Sequence, residues 1–528
     1  MAKMTSSEDA APQRSWWMAR VFALIIVPLI GAYSLLEPFG RDQGIHATIA
    51  YALDNGLVTY RDVFNIKPPL TTAVHWLSQV LFGHSMMAIR ELDLIFATLT
   101  ALGLVEIGRL LRRGLAFGFA APVGFALIYY SYGFWAHAQT DGWAAFLVVA
   151  ALWMMLLGWR RSKGRVRLWL MIGSGVALGL AFGLKYTIGG AGVLIFAPLI
   201  AGLIGQTHTR FLLRDLLACV LGGLAVLALI IAVMVAFGAL DPFLEIQSFI
   251  VGYVGYVPKN KPGLLYEFLL IGMSSPYLIA TVAVGLIAAA LEWAATRRSL
   301  SLVVALLWVL AGWVSGHVQG KGASYHFLPM LPVYALLFGI AIEAIAGLLR
   351  KPAHSRAFVM LALIALYLPS HAAKLDKYGL IAFGQPDPAK VFIAATPSSS
   401  DFDLAAIVAF ADVVKAHRKP GDTLFLWGYS TMLYFLADEP PRYRYPYSWP
   451  FMVNYYDGRY TQDLLNRLRA NPPTQFVLQS RDATPWVTQN PKSSDEMLAE
   501  YPALTEFLAQ NYHLVAKQAR FALYERND

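Results

Sequence analysis

The chain has 528 residues, 57% of them hydrophobic and only 14% charged, with 42 lysines and arginines against 33 acids. Apolar runs of roughly 18 or more residues recur along its first two thirds, which excludes a soluble globular or disordered protein and marks a polytopic membrane protein. The basic residues gather in alternate loops, at Arg109/Arg112/Arg113, Arg160/Arg161/Lys163/Arg165/Arg167, Arg210/Arg214, Arg297/Arg298 and Arg350/Lys351/Arg356, so the net charge of +9 is topogenic and gives no ground for nucleic-acid binding.

In chain order, a short polar tail (1–16) precedes a first span at 17–36. That span is long for a signal-peptide core and lacks a small-x-small cleavage site after it, so it is expected to remain as an anchor. Further spans are predicted at 87–108, 114–132, 141–158, 167–184, 186–206, 214–237, 274–294, 300–316, 327–349 and 357–371, about eleven in all. The piece 70–83 is too short to span. Counted as an interfacial or half-inserted helix, it keeps the basic loops on one side. The N-terminus is then cytoplasmic, and loops 37–86, 133–140, 239–273 and 315–326 are external, as is everything after 371. Lys185, Lys259, Lys261 and Lys321 lie on the face where topogenic charge is disfavoured, which makes them better functional candidates than lysines that obey the rule.

After 371 the spans give way to mixed sequence. Helices are predicted at 403–418, 430–437, 460–470 and 494–511, and strands at 423–427, 475–479, 513–516 and 521–525. The segment 439–456, dense in Pro, Tyr, Trp and Arg, reads as a loop leaning over the membrane surface. The fold class is therefore a polytopic α-helical membrane protein with a C-terminal soluble α/β domain. Its expected domains are a cytoplasmic tail (1–16), a transmembrane domain (17–371) with an external loop (37–86) and an external domain (372–528). Cys219 is the lone cysteine and offers neither a disulfide nor a cysteine-based metal site. No zinc motif, phosphate-binding loop or dinucleotide fingerprint is present, and Gly173-Ser174-Gly175 reads as helix packing.

The loop 37–70 carries the chemistry. Asp42 lies just beyond the first span, with His46 at i+4 on the same helical face. A carboxylate there suits a general base, and equally an N-cap for the helix that follows. Asp62 is a second acid. Lys67-Pro68-Pro69 holds a lysine in extended backbone ahead of the interfacial helix, where it can meet a lipid phosphate or simply snorkel to headgroups. Asp141, in a loop with His137, is either a helix cap or a second acid of the same cavity. Arg90 can pair with Asp93 at i+3 or serve a ligand. Lys321, Tyr325 and His326 at the mouth of a late span fit phosphate binding or interface anchoring, and Lys185 between two spans invites the same two readings.

In this order, the acid after the first span, KPPL, FGHSMMAIR, an acid opening a later span and YHFLPMLP resemble the GT-C glycosyltransferases. The likeness is to bacterial relatives of the protein O-mannosyltransferases and of the lipid A aminoarabinose transferase. The resemblance implies a polyprenyl-phosphate sugar donor, a lipid, glycan or protein acceptor, transfer at the external face of a bacterial inner membrane, and inversion at the anomeric carbon. No cofactor is required, and a divalent metal is allowed but not indicated. On it Asp42 is the base, with Asp141 a second acid. Lys67, Lys321, His326, Lys185 and Arg90 attend the donor phosphate, and Arg41, His46, Tyr60, His137 and Tyr325 line the substrate pocket. Many relatives carry an acid directly after the first one or directly before the lysine. Here those positions are Gln43 and Ile66, which leaves Asp62 as a substitute. The rival class is a transporter or flippase for a lipid-linked or anionic solute, although no inverted repeat is visible. A ligase moving a whole lipid-linked glycan is a further variant.

Overall fold

The computed structural model describes residues 13–160, 164–197, 212–255, 276–296, 300–320, 323–349, 388–396 and 398–527, with isolated positions at 200, 354, 358, 361 and 362. The predicted span 357–371 and the candidates Lys259, Lys261 and Lys321 therefore fall largely or wholly outside the described residues. The chain divides into two compact units. One comprises residues 1–37, 89–230 and 260–384, and the other 38–88, 231–259 and 385–528.

The first unit is helical. Helix α1 (Gln13–Gly31) continues as a 3₁₀ turn, Ala32–Leu36, and is followed by α4 (Ala88–Leu110), α5 (Leu115–Ser131), α6 (Thr140–Arg160) and α7 (Arg165–Leu184). Among the described residues seven helices are long and apolar enough to cross a membrane: Trp16–Leu36, α6, α7, Leu212–Ala236, Ile279–Thr296, Leu300–His317 and Ser324–Gly347. At about 1.5 Å per residue, α4 also reaches across a bilayer core, but it carries Arg90, Glu91 and Asp93 in its opening turns. Glycines bring two helices into backbone contact. A Cβ on Gly175 of α7 would fall 1.8 Å from the Cys219 carbonyl oxygen, and one on Gly222 would fall 2.2 Å from that of Ile172. Where a span was expected at 186–206, the chain instead forms a 3₁₀ helix, Tyr186–Phe196. Its β-branched residues and glycines have low α-helix propensity. Residues beyond 200 there lie outside the description.

The second unit gathers the polar loop and the C-terminal region. It contains α2 (Arg41–Asp54), α3 (Pro69–Phe82), the helix Leu240–Gly255 and a four-stranded sheet. Helix α3 starts on Pro69, whose missing N–H costs nothing at a helix start, and stops at Gly83 with φ +86°. It buries Thr71, Thr72, His75 and Ser78 and exposes Val80 and Leu81, the inverse of a water-facing helix. The sheet runs β1 (Leu424–Trp427), β2 (Gln475–Gln479), β4 (Phe521–Arg526), β3 (Tyr512–Gln518). Strands β1 and β2 are parallel and the remaining pairs antiparallel. Asp403 caps the helix Leu404–His417 by accepting from the Ala406 amide. The helix expected at 494–511 is two, Ser494–Leu498 and Pro502–Asn511, because Pro502 cannot continue the first and opens the second.

The segment 439–456 is not a surface flap. Tyr443, Tyr445, Tyr447 and Trp449 are at most 3% exposed. They pack with Phe64, Phe249 and Phe425 into the aromatic core of this unit. Its composition reads as loop, and its burial depends on rings supplied from distant stretches of chain.

Candidate active site

In the mixed unit, Gly40 occupies the N-cap of α2 and makes no side-chain cap bond, so Asp42 sits inside the first turn and is not the cap. A carboxylate there is favoured by the exposed N–H groups and the helix dipole. Three phenols, Tyr253, Tyr429 and Tyr447, lie within electrostatic reach of Asp42. Burial pushes the Tyr253 phenol up to about 12, and the Asp42 charge adds to the shift. Tyr429 and Tyr447 move the same way, chiefly through burial. Arg41 is tied down. Its Nη2 donates to the Asp401 carboxylate (2.5 Å) and carbonyl (2.9 Å), and the guanidinium lies 4.8 Å from the Tyr429 ring centre. His46 is buried on α2 with its ring centre 5.4 Å from that of His75 on α3.

Lys67 is fixed through its backbone. Its N–H donates to Asn65 Oδ1 (3.0 Å), its carbonyl accepts from Tyr60 Oη (2.6 Å), and Asn65 Nδ2 donates onward to Thr72 Oγ1 (3.2 Å). Tyr60 reaches this position from a left-handed conformation at φ +74°. Among the described residues the Lys67 ammonium has no ion-pair partner. Asp62 differs: it pairs with Arg61 (2.8 Å) and accepts from the Val58 amide (2.8 Å). The Arg61 hydrogen bond holds its carboxyl below the usual carboxylate range. Arg61 in turn donates to the Phe237 carbonyl. Asp62 therefore acts as a turn clip.

In the helical unit, Asp141 is fully buried in the first turn of α6. Lys185 Nζ lies 2.9 Å from its Oδ2, and Gln319 Nε2 donates to its Oδ1 at 3.2 Å. Two residues singled out separately in the sequence thus form one buried ion pair. Arg90 does not pair with Asp93. It is fully buried, 3.6 Å from the Glu37 carboxylate, and donates to the carbonyls of Glu37, Phe134 and His137. His137, also fully buried, sits between Glu37 Oε2 (2.6 Å) and the Tyr129 carbonyl (3.0 Å). Asp93 accepts from Tyr129 Oη and Trp143 Nε1. These contacts give Arg90 and His137 a structural task. His326 is buried, with the Tyr325 ring centre 4.5 Å away.

Sequence reasoning missed Glu37, Gln319, Tyr253, Tyr429 and Tyr447. Each acts through a partner distant in the chain, and a lone Tyr, Gln or Glu carries no local signal of such a role. Among the described residues no three His, Cys, Asp or Glu side chains converge to hold a metal ion.

Residues 66–235 match the family model described as dolichyl-phosphate-mannose-protein mannosyltransferase. In fold, the chain is similar to ArnT from Cupriavidus metallidurans bound to undecaprenyl phosphate, at TM-score 0.55 and 16% identity over 96% of this chain and 97% of that one. The apo state of that protein gives TM-score 0.54 and 17% identity over the same shares. The Archaeoglobus fulgidus oligosaccharyltransferase tethered with an acceptor peptide is similar at TM-score 0.50 and 15% identity, over 97% of this chain and 74% of that one. No curated protein matches the chain in sequence. With its apolar helices and four-stranded sheet, the chain is a multi-pass membrane protein whose fold is similar to that of the ArnT and oligosaccharyltransferase structures.

Proposed function

We propose that the chain transfers a sugar from a polyprenyl-phosphate donor to a lipid, glycan or protein acceptor at the external face of a bacterial inner membrane, with inversion at the anomeric carbon. The observation that carries this reading is Lys67, a cation whose backbone is clamped on both sides and whose ammonium has no ion-pair partner among the described residues. A fixed charge of this kind suits a lipid phosphate that arrives and departs. The reading also draws support from a fold relative captured with undecaprenyl phosphate and from the mannosyltransferase family match.

In the mechanism, an acceptor hydroxyl or amine attacks the anomeric carbon while Asp42 takes its proton. The bond to the phosphate oxygen breaks, and the polyprenyl phosphate leaves with that electron pair. Lys67 offsets the charge on the leaving group. Asp141 and Lys185 form a buried ion pair within the helical unit. Asp62 clips the 58–63 turn, and Arg90 and His137 hold the fold. The loop 37–86 and residues 372–528 are assigned to the external face, the N-terminus to the cytoplasm.

The test is transfer of labelled sugar by Asp42→Asn. Loss of a general base costs about 10²–10⁴ in rate. The variant is therefore expected to bind donor as the wild type does and turn it over at most about a hundredth as fast; undiminished turnover removes Asp42 from the mechanism.

A further inference from the structure

Lys67 stands in the run Asn65-Ile66-Lys67-Pro68-Pro69, and the two prolines after it have no N–H to give. The linker into α3 therefore has no regular backbone ladder to hold it, and its geometry falls to side chains. Two of them close on the Lys67 peptide groups from opposite ends. Asn65 Oδ1 accepts from the Lys67 N–H at 3.0 Å, an Asx turn spanning two residues, and Tyr60 Oη donates to the Lys67 carbonyl at 2.6 Å. Asn65 and Tyr60 are 1% and 2% exposed, so water is a poor substitute for either bond.

Both clamping residues are themselves held. Asn65 Nδ2 donates to Thr72 Oγ1 (3.2 Å) on the buried face of α3, and a turned amide would set its NH₂ against the Lys67 N–H. The Phe64 amide, just before, donates to the Arg444 carbonyl (2.6 Å), and the Phe64 ring packs on Tyr445, Tyr447 and Tyr460. Tyr60 adopts φ +74°, a left-handed backbone that a residue of its size rarely takes. The turn is closed by the Tyr60 amide donating to the Val63 carbonyl (2.7 Å) and the Asp62 amide to the Val58 carbonyl (2.8 Å). On the helix Leu240–Gly255, Phe243 meets the Tyr60 ring edge-on with ring centres 5.1 Å apart. Backbone strain of this kind persists only where the surroundings over-determine it. Here it carries a phenol to the Lys67 carbonyl.

We infer that Tyr60 and Asn65 are positioning residues, which fix the Lys67 backbone, and so the anchor point of its ammonium, before the lipid phosphate arrives. This role rests on the reading of Lys67 as the donor-phosphate cation. It takes Tyr60 out of the substrate pocket, where the family resemblance put it, and gives it a task behind the lysine. A lysine side chain already has four rotors to order when it binds a phosphate. A backbone fixed in advance adds nothing further to that cost. The contribution of both residues reaches the phosphate only through Lys67.

The experiment titrates the full chain in lipid nanodiscs with undecaprenyl phosphate and, as a control lacking the charge, with undecaprenol, and reads binding by native mass spectrometry. The proteins are the wild type, Tyr60→Phe, Asn65→Leu, Lys67→Ala and each of the first two variants combined with Lys67→Ala. Tyr60→Phe removes one hydroxyl with little change of shape, and Asn65→Leu is nearly isosteric. Each is expected to weaken binding of undecaprenyl phosphate by about three- to tenfold and to leave undecaprenol unaffected. In the Lys67→Ala background neither should weaken it further, because no ammonium is left to place. A clamp that merely supports the fold would cost the same in both backgrounds and for both lipids, and that result overturns the inference. Wild-type affinity in Tyr60→Phe and Asn65→Leu beside a weakened Lys67→Ala overturns it too, and leaves the reading of Lys67 standing. If Lys67→Ala itself binds undecaprenyl phosphate as the wild type does, the reading of Lys67 fails and the positioning role falls with it. Should Asn65→Leu not fold, Tyr60→Phe alone decides.

Discussion

Replacing Arg41 tests how the opening turn of α2, and with it Asp42, is held. Arg41 and Asp401 expose 13% and 9% of their side chains, so the pair lies between the surface and buried regimes. Exposed pairs contribute about 0–1 kcal/mol, whereas removing one partner of a buried pair costs about 3–5 kcal/mol. At this burial about 2 kcal/mol is expected for the charge pair, and the stack on Tyr429 and Phe402 adds about 0.5–1 kcal/mol. Arg41→Ala should therefore cost about 3 kcal/mol. Asp401→Asn keeps an acceptor oxygen and the stack, so about 1–2 kcal/mol is expected. The double variant should be no worse than Arg41→Ala alone. A large membrane protein does not unfold in one step, so the appropriate assay is hydrogen exchange of the α2 amides from Gly44 onward, which reads local opening. At about 1.4 kcal/mol per decade, Arg41→Ala should speed their exchange by about 100-fold. Exchange within about threefold of the wild type, or additive costs in the double variant, would refute the clamp.

Two further outcomes follow from buried groups. Lys185→Met strands the Asp141 carboxylate and should destabilise the helical unit by about 3–5 kcal/mol, whereas Lys185→Met with Asp141→Leu should recover much of that, as read by thermal aggregation in detergent. Asp482 has its carboxyl raised by burial, although the Ser494 and Tyr429 amides bond to it. It therefore binds its proton more tightly folded than unfolded. Its contribution is fully present below the unfolded value of about 3.9 and is lost as pH rises through the folded value. The stability of the wild type relative to Asp482→Asn should fall as the pH of the melts rises from about 4; a flat difference contradicts the assignment.

The parts of the fold that are legible in the sequence are those set by local pattern. Apolar runs announce the helices. The strand at Gln475–Gln479 falls where the sequence predicts it, and Asp403 caps the helix that the sequence begins at 403. The GT-C fold itself is readable from the order of short motifs, from the acid after the first span through KPPL to YHFLPMLP. What fails is what depends on partners across the chain. Arg90 chooses Glu37, 53 positions away, over Asp93 at i+3, and Arg41 reaches Asp401 over 360 positions. The aromatic segment 439–456 reads as a loop because its Pro and Arg residues resemble turns. Rings from Phe64 and Phe249 turn it into core. Most of the loop 37–86 clusters with the C-terminal region through contacts that no local pattern announces.

The measurement that bears most directly on the transferase reading is native mass spectrometry of the protein purified in mild detergent, with Lys67→Ala beside it. The account predicts a co-purified polyprenyl phosphate, bare or carrying its sugar, on the wild type and its loss from the variant. A folded protein that carries no such lipid, or a variant that keeps it, would contradict the account.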